Sequence, residues 1–234
     1  MINVIQSHIS NLLHLVFPHY CEGCGSDNIV QNQFLCIDCL TKLPTTGFEN
    51  ISENDVEKMF YGRLPIQYAT AAFYFSKHTL IQHLIHQLKY KGNKEAGYFL
   101  GSLLGAQLQN SKKFHEIEVI IPLPLNAKKE AVRGYNQAAL IAEGVATIFK
   151  KPLATKAVAR TVFTETQTHN NRITRWRNME GVFSVVNENL IKNKHVLLVD
   201  DIITTGATLE SCGKIILDSG CKSLSIATVA YAIQ

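Results

Sequence analysis

The segment HVLLVDDIITTGATLESCG, residues 195–213, constrains the fold of this chain more than any other stretch. Its first part is a continuous apolar run, which is typical of a strand buried on both faces of a parallel sheet. The run ends in two adjacent carboxylates, Asp200 and Asp201, and a threonine-rich loop then leads into a helix expected over 207–219. We therefore predict a strand–loop–helix unit of an α/β protein. Its acids and loop should lie at the carboxyl end of the strand, where the ligands of such sheets bind.

Strands and helices alternate through most of the chain. We expect strands at 70–75, 118–125, 153–159, 181–186, 195–200 and 223–232, and helices at 79–90, 95–109, 136–149 and 207–219. This spacing predicts a parallel sheet that helices cover on both faces. The segment 126–135 is expected to be a loop.

Four of the six cysteines lie within nineteen residues near the amino terminus. Cys21, Cys24, Cys36 and Cys39 form two C-x2-C pairs separated by eleven residues, a spacing that can close a tetrahedral zinc site. Disulfides fit poorly with a chain expected in the cytosol, and a redox pair would not need a second copy nearby. We therefore predict structural zinc, and because four thiolates leave no open position, catalysis by this metal is not expected. Two histidines are substitute ligands should one thiolate not bind: His14 and His19.

Composition and patterning divide the chain into three regions. We expect an amphipathic helix and zinc module over 1–47, a linker over 48–69, and an α/β domain over 70–234. The polar stretch 49–58 in the linker is compatible with an extended linker or with a short surface helix. No stretch has the roughly 18 apolar residues of a membrane span. The first twenty residues lack the Lys and Arg of a signal peptide, so a cytoplasmic location is expected. The net charge of +4 is compatible with an anionic ligand or nucleic acid but requires neither.

The loop TTGAT at 204–208 suits a phosphate monoester. Its backbone N–H groups lie at the start of the expected helix, and Gly206 lets the backbone approach a phosphate closely. The side chains of Thr204, Thr205 and Thr208 add hydroxyl donors. The acid pair instead requires vicinal hydroxyls, a cation, or both. A ligand with a terminal phosphate, a ribose diol and a magnesium-chelated pyrophosphate satisfies every element. A plain helix cap beside two solvated acids would explain the threonines but not the whole order.

The motif VLLVDDIITTGAT resembles the phosphoribosyl-pyrophosphate (PRPP) binding motif of type I phosphoribosyltransferases. Receiver domains of signalling proteins also carry VLLVDD, but there the acids close the first strand of a long domain. Here only 33 residues follow Asp201, and the TTGAT loop comes at once. Neither a Walker loop nor a G-x-G-x-x-G motif is present to support ordinary nucleotide binding.

The whole chain resembles the ComF/GntX-like family. Its members are phosphoribosyltransferase-like proteins with an N-terminal four-cysteine zinc module. The segments that carry the resemblance occur in the family's order: the cysteine quartet, LKYKGN at 88–93, IIPLPL at 120–125, RGYNQA at 133–138, RWRNMEGVF at 175–183 and the PRPP motif. Together they span nearly the whole chain. The resemblance implies a type I phosphoribosyltransferase fold, with a parallel sheet flanked by helices and a flexible hood. Some family members are competence proteins needed for natural transformation, in the uptake or handling of single-stranded DNA.

The resemblance also implies roles for individual residues. Asp200 and Asp201 would hold the ribose hydroxyls, directly or through Mg²⁺, and Arg133 would join them as a catalytic group. The implied PRPP-binding residues are Asp200, Asp201, Ile202, Ile203, Thr204, Thr205, Gly206, Ala207 and Thr208. A pyrophosphate loop over 125–135 and a hood over 161–180 would supply cations: Lys128, Lys129 and Arg133 from the loop, and Arg172, Arg175 and Arg177 from the hood. Trp176 in the hood either stacks on a base or anchors the hood to the core.

Two classes of function remain open at this point. In the first, the protein binds PRPP with Mg²⁺ and transfers phosphoribose to an unidentified acceptor, a nucleobase or related amine. In the second, it is a non-catalytic protein of competence whose relic site binds PRPP, a nucleotide or single-stranded DNA. The lysine pairs are scattered rather than interleaved with aromatic residues, and the loop 21–39 lacks Lys and Arg, so DNA binding is favoured only slightly. A competence or DNA-processing protein and a homodimer also remain open as partners.

Overall fold

The computed structural model describes residues 19–30, 32–160 and 182–233, and the structural statements below concern these ranges. The chain divides between Leu43 and Pro44 into two units. Residues 1–18 of the expected amphipathic helix lie outside the described residues. The whole of the expected hood, 161–180, also lies outside them.

The first unit is built from turns around the cysteine pairs. It contains one short helix among its described residues, α1, which spans Ile37–Thr41. Gly25 has a φ of 72°, the left-handed region that favours glycine, and its N–H donates to the Cys21 carbonyl at 2.8 Å. This turn brings Cys24 back towards Cys21, as the C-x2-C spacing predicts.

The second unit begins at Pro44 and includes the region 48–69, which we expected to be a linker. A short helix lies in it at Asp55–Lys58, as one interpretation of its polar stretch allowed, but the region is packed into the core rather than being a linker. Phe48, Val56, Phe60 and Leu64 are buried in the same hydrophobic cluster as residues of the central sheet. The last three recur at intervals of four residues, so they share one side of the segment. Polar residues dominate the composition of the segment, and this composition favours a linker over a packed segment.

A buried asparagine holds this segment in place. Asn54 is 3% exposed and caps a short helix, α2, which spans Asp55–Lys58. Its amide also donates to the carbonyls of Phe48, Ile51 and Ala69 at 2.9 to 3.2 Å. The segment 48–69 is therefore fixed to the first strand of the sheet.

The centre of the second unit is a parallel sheet. Its described strands are β1 (Tyr68–Phe75), β2 (Val119–Pro122), β5 (His195–Ile203) and β6 (Ser223–Ala232), in the order β1-β6-β5-β2. The described helices around it are α3 (Leu80–Tyr90), α4 (Lys94–Asn110), α5 (Ala127–Arg133), α6 (Gln137–Phe149) and α7 (Ala207–Asp218). All three strand pairs are parallel, which confirms the predicted fold class.

Two details of the predicted elements are corrected. The segment 126–135 contains α5 rather than only a loop, because Asn126 caps its first turn and Gly134 ends it in the left-handed region at φ 81°. The strands predicted at 153–159 and 181–186 are the short β3 (Val158–Arg160) and β4 (Phe183–Val185), which pair antiparallel in a separate ribbon.

The two faces of β5 meet different neighbours. Val196 and Leu198 belong to a core cluster with Leu209 and Cys212 of α7. Successive side chains of a strand point to opposite faces, so Asp200 continues this series and Asp201 lies on the opposite side. The strand runs two residues beyond the acid pair, to Ile203, rather than ending at Asp200 as predicted.

Helices α4 and α6 pack at very short distance. A Cβ added at Gly101 would lie 2.1 Å from the Ile141 carbonyl oxygen, and one at Gly144 would lie 2.4 Å from the Tyr98 carbonyl oxygen. No side chain fits at either contact, so glycine is required on both helices.

Candidate active site

The acid pair lies at the carboxyl end of β5, where it was expected. Asp201 is 2% exposed, and its Oδ2 lies 2.9 Å from Nζ of Lys89, which comes from the last turn of α3. The backbone N–H of Asp201 donates to Oδ1 of Asp200 at 2.8 Å. The two carboxylates are therefore adjacent in sequence but have different partners, and Lys89 compensates the more buried one.

Asp200 carries the more perturbed carboxyl group. Burial raises its pKa well above the ordinary value of 3.8, and the negative charge of Asp201 raises it further. The N–H donated by Asp201 and the charge of Lys89 act in the opposite direction but are weaker. A group shifted in this way at the end of a buried strand is typical of a functional site.

The threonine-rich loop leads into α7 as predicted. Gly206 is the residue before the helix and has a φ of 72°, so it needs the left-handed region. It is buried, whereas Thr204, Thr205, Ala207 and Thr208 around it are exposed. These exposed residues lie at the start of the helix, where backbone N–H groups can bind an anion, and the N–H of Ala207 donates to Oγ1 of Thr205 at 3.5 Å.

The two isoleucines in the implied PRPP-binding set differ in exposure. Ile203 is 1% exposed and packs in the hydrophobic core, so its side chain does not face the loop's solvent side. Ile202 is half-buried.

An arginine that we did not predict from the sequence holds the base of this loop. Arg63 donates to the Thr205 carbonyl at 3.1 Å and, through Nε, to Glu210 in the first turn of α7 at 2.9 Å. Hydrogen bonds from Lys214 and Arg63 lower the pKa of Glu210 despite partial burial. The signal was hidden because Arg63 lies in the segment that we interpreted as a linker.

The cations expected in the pyrophosphate loop surround a cavity of about 590 Å³. Lys128, Lys129 and Arg133 of α5 line it, as do Lys89 and Tyr90 of α3. Four cations of the described residues thus meet at one cavity, which suits a group with several negative charges. Asp200, Asp201 and the loop 204–208 do not line this cavity, but Lys89 joins it to the acid pair.

Arg133 is held in position from two sides. Its guanidinium donates to Oε1 of Gln137, and it lies 5.9 Å from the ring centre of Tyr90. Gln137 is buried in the first turn of α6. An arginine fixed in this way can bind an oxyanion with little loss of side-chain freedom.

The motif RGYNQ around Arg133 serves mainly to hold these elements together. The Tyr135 hydroxyl donates to the Leu88 carbonyl of α3. Asn136 caps α6 and donates to the Leu123 carbonyl after β2 at 3.0 Å. These contacts hold the segment between α5 and α6 against α3 and the end of β2.

The hood residues Arg172, Arg175, Trp176 and Arg177 lie outside the described ranges.

The cysteine quartet is assembled as the spacing predicts. The Sγ atoms of Cys21, Cys24, Cys36 and Cys39 all lie within 4.8 Å of one another. The distance between Sγ of Cys24 and Cys36 is 3.8 Å. A zinc–thiolate tetrahedron with bonds of about 2.3 Å has sulfur atoms about 3.8 Å apart, so the cluster fits zinc.

The thiols of this cluster have opposite shifts: burial and the neighbouring cysteines raise the pKa of Cys39, whereas the pKa of Cys21 is lowered. Burial raises the pKa of the Cys21 thiol, but N–H donors from Cys36, Cys24 and Gly23 outweigh that effect and lower the pKa to about 6. The thiolate is the form that binds zinc. The four cysteines therefore form a candidate metal site of structural type.

Comparison with known proteins shows which of them this chain is similar to. The phosphoribosyl transferase domain family matches residues 136–234, which include the acid pair and the TTGAT loop. Competence protein F of Haemophilus influenzae is 29% identical over 220 residues, covering 92% of this chain and 86% of that protein. Over most of its length the chain is similar to this ComF-like protein, and its carboxyl-terminal part matches the phosphoribosyl transferase domain family.

Other known proteins are similar to this chain over shorter lengths. Competence protein ComFC of Bacillus subtilis is 32% identical over 110 residues, which are 47% of this chain and 42% of that protein. DNA utilization protein YhgH of Escherichia coli K12 is 27% identical over 146 residues, which are 61% of this chain and 63% of that protein. Over the described ranges, no helix combines the length and apolar character needed to cross a membrane.

Proposed function

We propose that this protein binds PRPP and transfers its 5-phosphoribosyl group to an amine or nucleobase acceptor, releasing pyrophosphate. The observation that carries the proposal is the cationic cavity beside the acid pair, with Lys89 shared between them. A cavity for a polyanion, two carboxylates for a diol and a loop for a phosphate monoester match the three polar parts of PRPP.

Each part of the ligand has its own set of residues in this proposal. The loop 204–208 binds the 5-phosphate through N–H and hydroxyl donors. Asp200 and Asp201 accept hydrogen bonds from the ribose hydroxyls. Lys128 and Arg133 neutralise the pyrophosphate in the cavity of about 590 Å³.

The chemistry needs stabilisation of a leaving group more than a protein nucleophile. The bond between the ribose C1 and the pyrophosphate oxygen breaks, and its electron pair leaves with pyrophosphate. A lone pair of the acceptor nitrogen forms the new bond to C1, and that nitrogen then loses a proton to solvent. The cavity cations stabilise the charge that develops on pyrophosphate.

The donor set also fits Mg²⁺, because carboxylate and phosphate oxygens are the ligands that this hard cation prefers. Asp200 and Asp201 would hold it together with the ligand's oxygens, and it would supply further neutralisation of pyrophosphate.

The names of the relatives support a biological setting for the proposed activity. Two of them are competence proteins and one is a DNA utilization protein. We place the phosphoribosyl chemistry in the uptake or use of DNA, in the cytoplasm, with zinc as a structural element of the first unit.

Calorimetric titration of PRPP with Mg²⁺ tests the proposal. Asp201→Asn should abolish measurable binding, because it removes a buried carboxylate that accepts from the ribose. Asp218→Asn, an exposed aspartate at the end of α7, should leave the affinity unchanged. Retained affinity in a folded Asp201→Asn variant, or no binding by the wild type, would refute the proposal.

A further inference from the structure

Lys89 belongs to two parts of the site at once. Its Nζ lies 2.9 Å from Oδ2 of Asp201, and its side chain lines the cavity that also contains Lys128 and Arg133. The side chain of Lys89 is 20% exposed and that of Asp201 is 4% exposed. The ammonium group is therefore at the boundary between a buried carboxylate and a cavity suited to anions.

These two positions make competing demands on one charge. An ammonium group that is held by a carboxylate is less available to a phosphate anion in the cavity. A carboxylate that is already paired is likewise a weaker ligand for a second cation and a weaker acceptor for a hydroxyl. The ion pair therefore lowers the affinity of Lys89 for an anion and the affinity of Asp201 for a cation or a hydroxyl.

We infer that Lys89 is an exchangeable counter-ion, which pairs with Asp201 in the ligand-free protein and moves to the pyrophosphate group when the ligand binds. The exchange frees Asp201 for the ribose hydroxyls. It rests on the proposed function and adds to it a residue that couples anion capture to the release of the acid. Coupling of this kind is reciprocal: if anion binding breaks the pair between Lys89 and Asp201, then removing that pair must strengthen anion binding.

A second lysine of the same unit provides a matched control. Nζ of Lys113 lies 3.6 Å from Oε1 of Glu57, and its side chain is 17% exposed, close to the value for Lys89. Lys113 is not among the residues that line the cavity. Lys113 resembles Lys89 in having a carboxylate partner and a similar exposed fraction, but it does not lie at the cavity.

The test is a double-mutant cycle on the affinity for inorganic pyrophosphate, measured by calorimetry in magnesium-free buffer with the zinc-loaded full chain. Lys89→Met should weaken binding about tenfold or more, since a hydrogen bond between charged groups is lost. Asp201→Asn should tighten binding about three- to tenfold, because it frees the ammonium group. In the double variant this gain should disappear. Lys113→Met should leave the affinity at the wild-type value.

Lys89→Gln provides a second neutral variant, because its amide can still donate to Asp201 and keeps that carboxylate partnered if Lys89→Met does not fold. An equal gain from Asp201→Asn with and without Lys89 would overturn the exchange, because the carboxylate would then act only by repulsion at a distance. No gain from Asp201→Asn, or no pyrophosphate binding by the wild type, would also overturn it. If PRPP with Mg²⁺ still binds in that last case, the proposed function stands while the exchange falls.

Discussion

At the scale of single residues, the acid pair shows how one strand gives neighbouring groups different properties. Asp201 is compensated at once by Lys89, 2.9 Å away. Asp200 accepts an N–H and is partly buried, and its pKa is raised by burial and by Asp201. An acid kept in this state has a cost for stability, which is common where a site is prepared for a ligand.

We predict that Asp200→Asn stabilises the ligand-free protein at neutral pH. Because the folded-state pKa of Asp200 is raised above 3.8, its stabilising contribution is complete below 3.8 and is lost as pH rises through the folded pKa. The neutral amide avoids that loss and can still accept the N–H of Asp201. The gain should be about 1–3 kcal/mol in the free energy of unfolding.

Urea denaturation at pH 4 and pH 8 measures this effect. The advantage of Asp200→Asn over the wild type should be larger at pH 8, and PRPP binding should be lost. The exposed Asp218→Asn variant serves as the control. An equal advantage at both pH values would show that burial of the charge is not its cause.

At the scale of elements, the phosphate loop depends on a segment distant in sequence. Arg63 bonds both the Thr205 carbonyl and Glu210, and so ties the loop to the first turn of α7. A Cβ added at Gly206 would lie 3.3 Å from the Phe60 ring, so the same segment also supports the loop from the core side. The segment 48–69 is therefore part of the site's framework.

We predict that Arg63→Ala weakens PRPP binding about tenfold, because the loop must then be ordered by the ligand itself. The same variant should lower the free energy of unfolding by only about 1 kcal/mol, since the ion pair is partly exposed. Lys58→Ala, which removes an exposed ion pair with Asp55 in the same segment, should change neither. Unchanged PRPP affinity in Arg63→Ala would exclude a role for the arginine in positioning the loop.

The elements that the sequence predicted well are those with a strong local pattern. The run VLLV, the helical spacing of Ile81, Leu84 and Leu88, and the cysteine pairs each lead to the observed element. Contacts between distant residues left no such pattern. Nothing local shows that Lys89 reaches Asp201 or that Arg63 reaches Thr205, because each contact is created by the packing of separate elements.

At the scale of the whole molecule, the chain consists of a cysteine-rich unit and a larger α/β unit that divide at Leu43. The first unit has few buried apolar residues among those described, so we expect its order to depend on a metal bound by the cysteines. The second unit has an extensive core of its own.

We predict that removing zinc unfolds the first unit and leaves the core of the second intact. A structural zinc site of this kind contributes about 10–16 kcal/mol of binding energy to folding in isolated peptides. A chelator should therefore remove an unfolding transition in calorimetry, and Cys36→Ser should have the same effect. Cys221→Ser, outside the cluster, should not. An unchanged melting profile after chelation would contradict a structural role for the metal.

The central claim is that one site divides PRPP among a loop, an acid pair and a cationic cavity. The most direct test is a crystal structure of the protein with PRPP and Mg²⁺. We predict the 5-phosphate against the N–H groups of 204–208, the ribose hydroxyls against Asp201, and the pyrophosphate between Lys89 and Arg133. Density for the ligand outside these residues, or its absence at saturating PRPP, would contradict the claim.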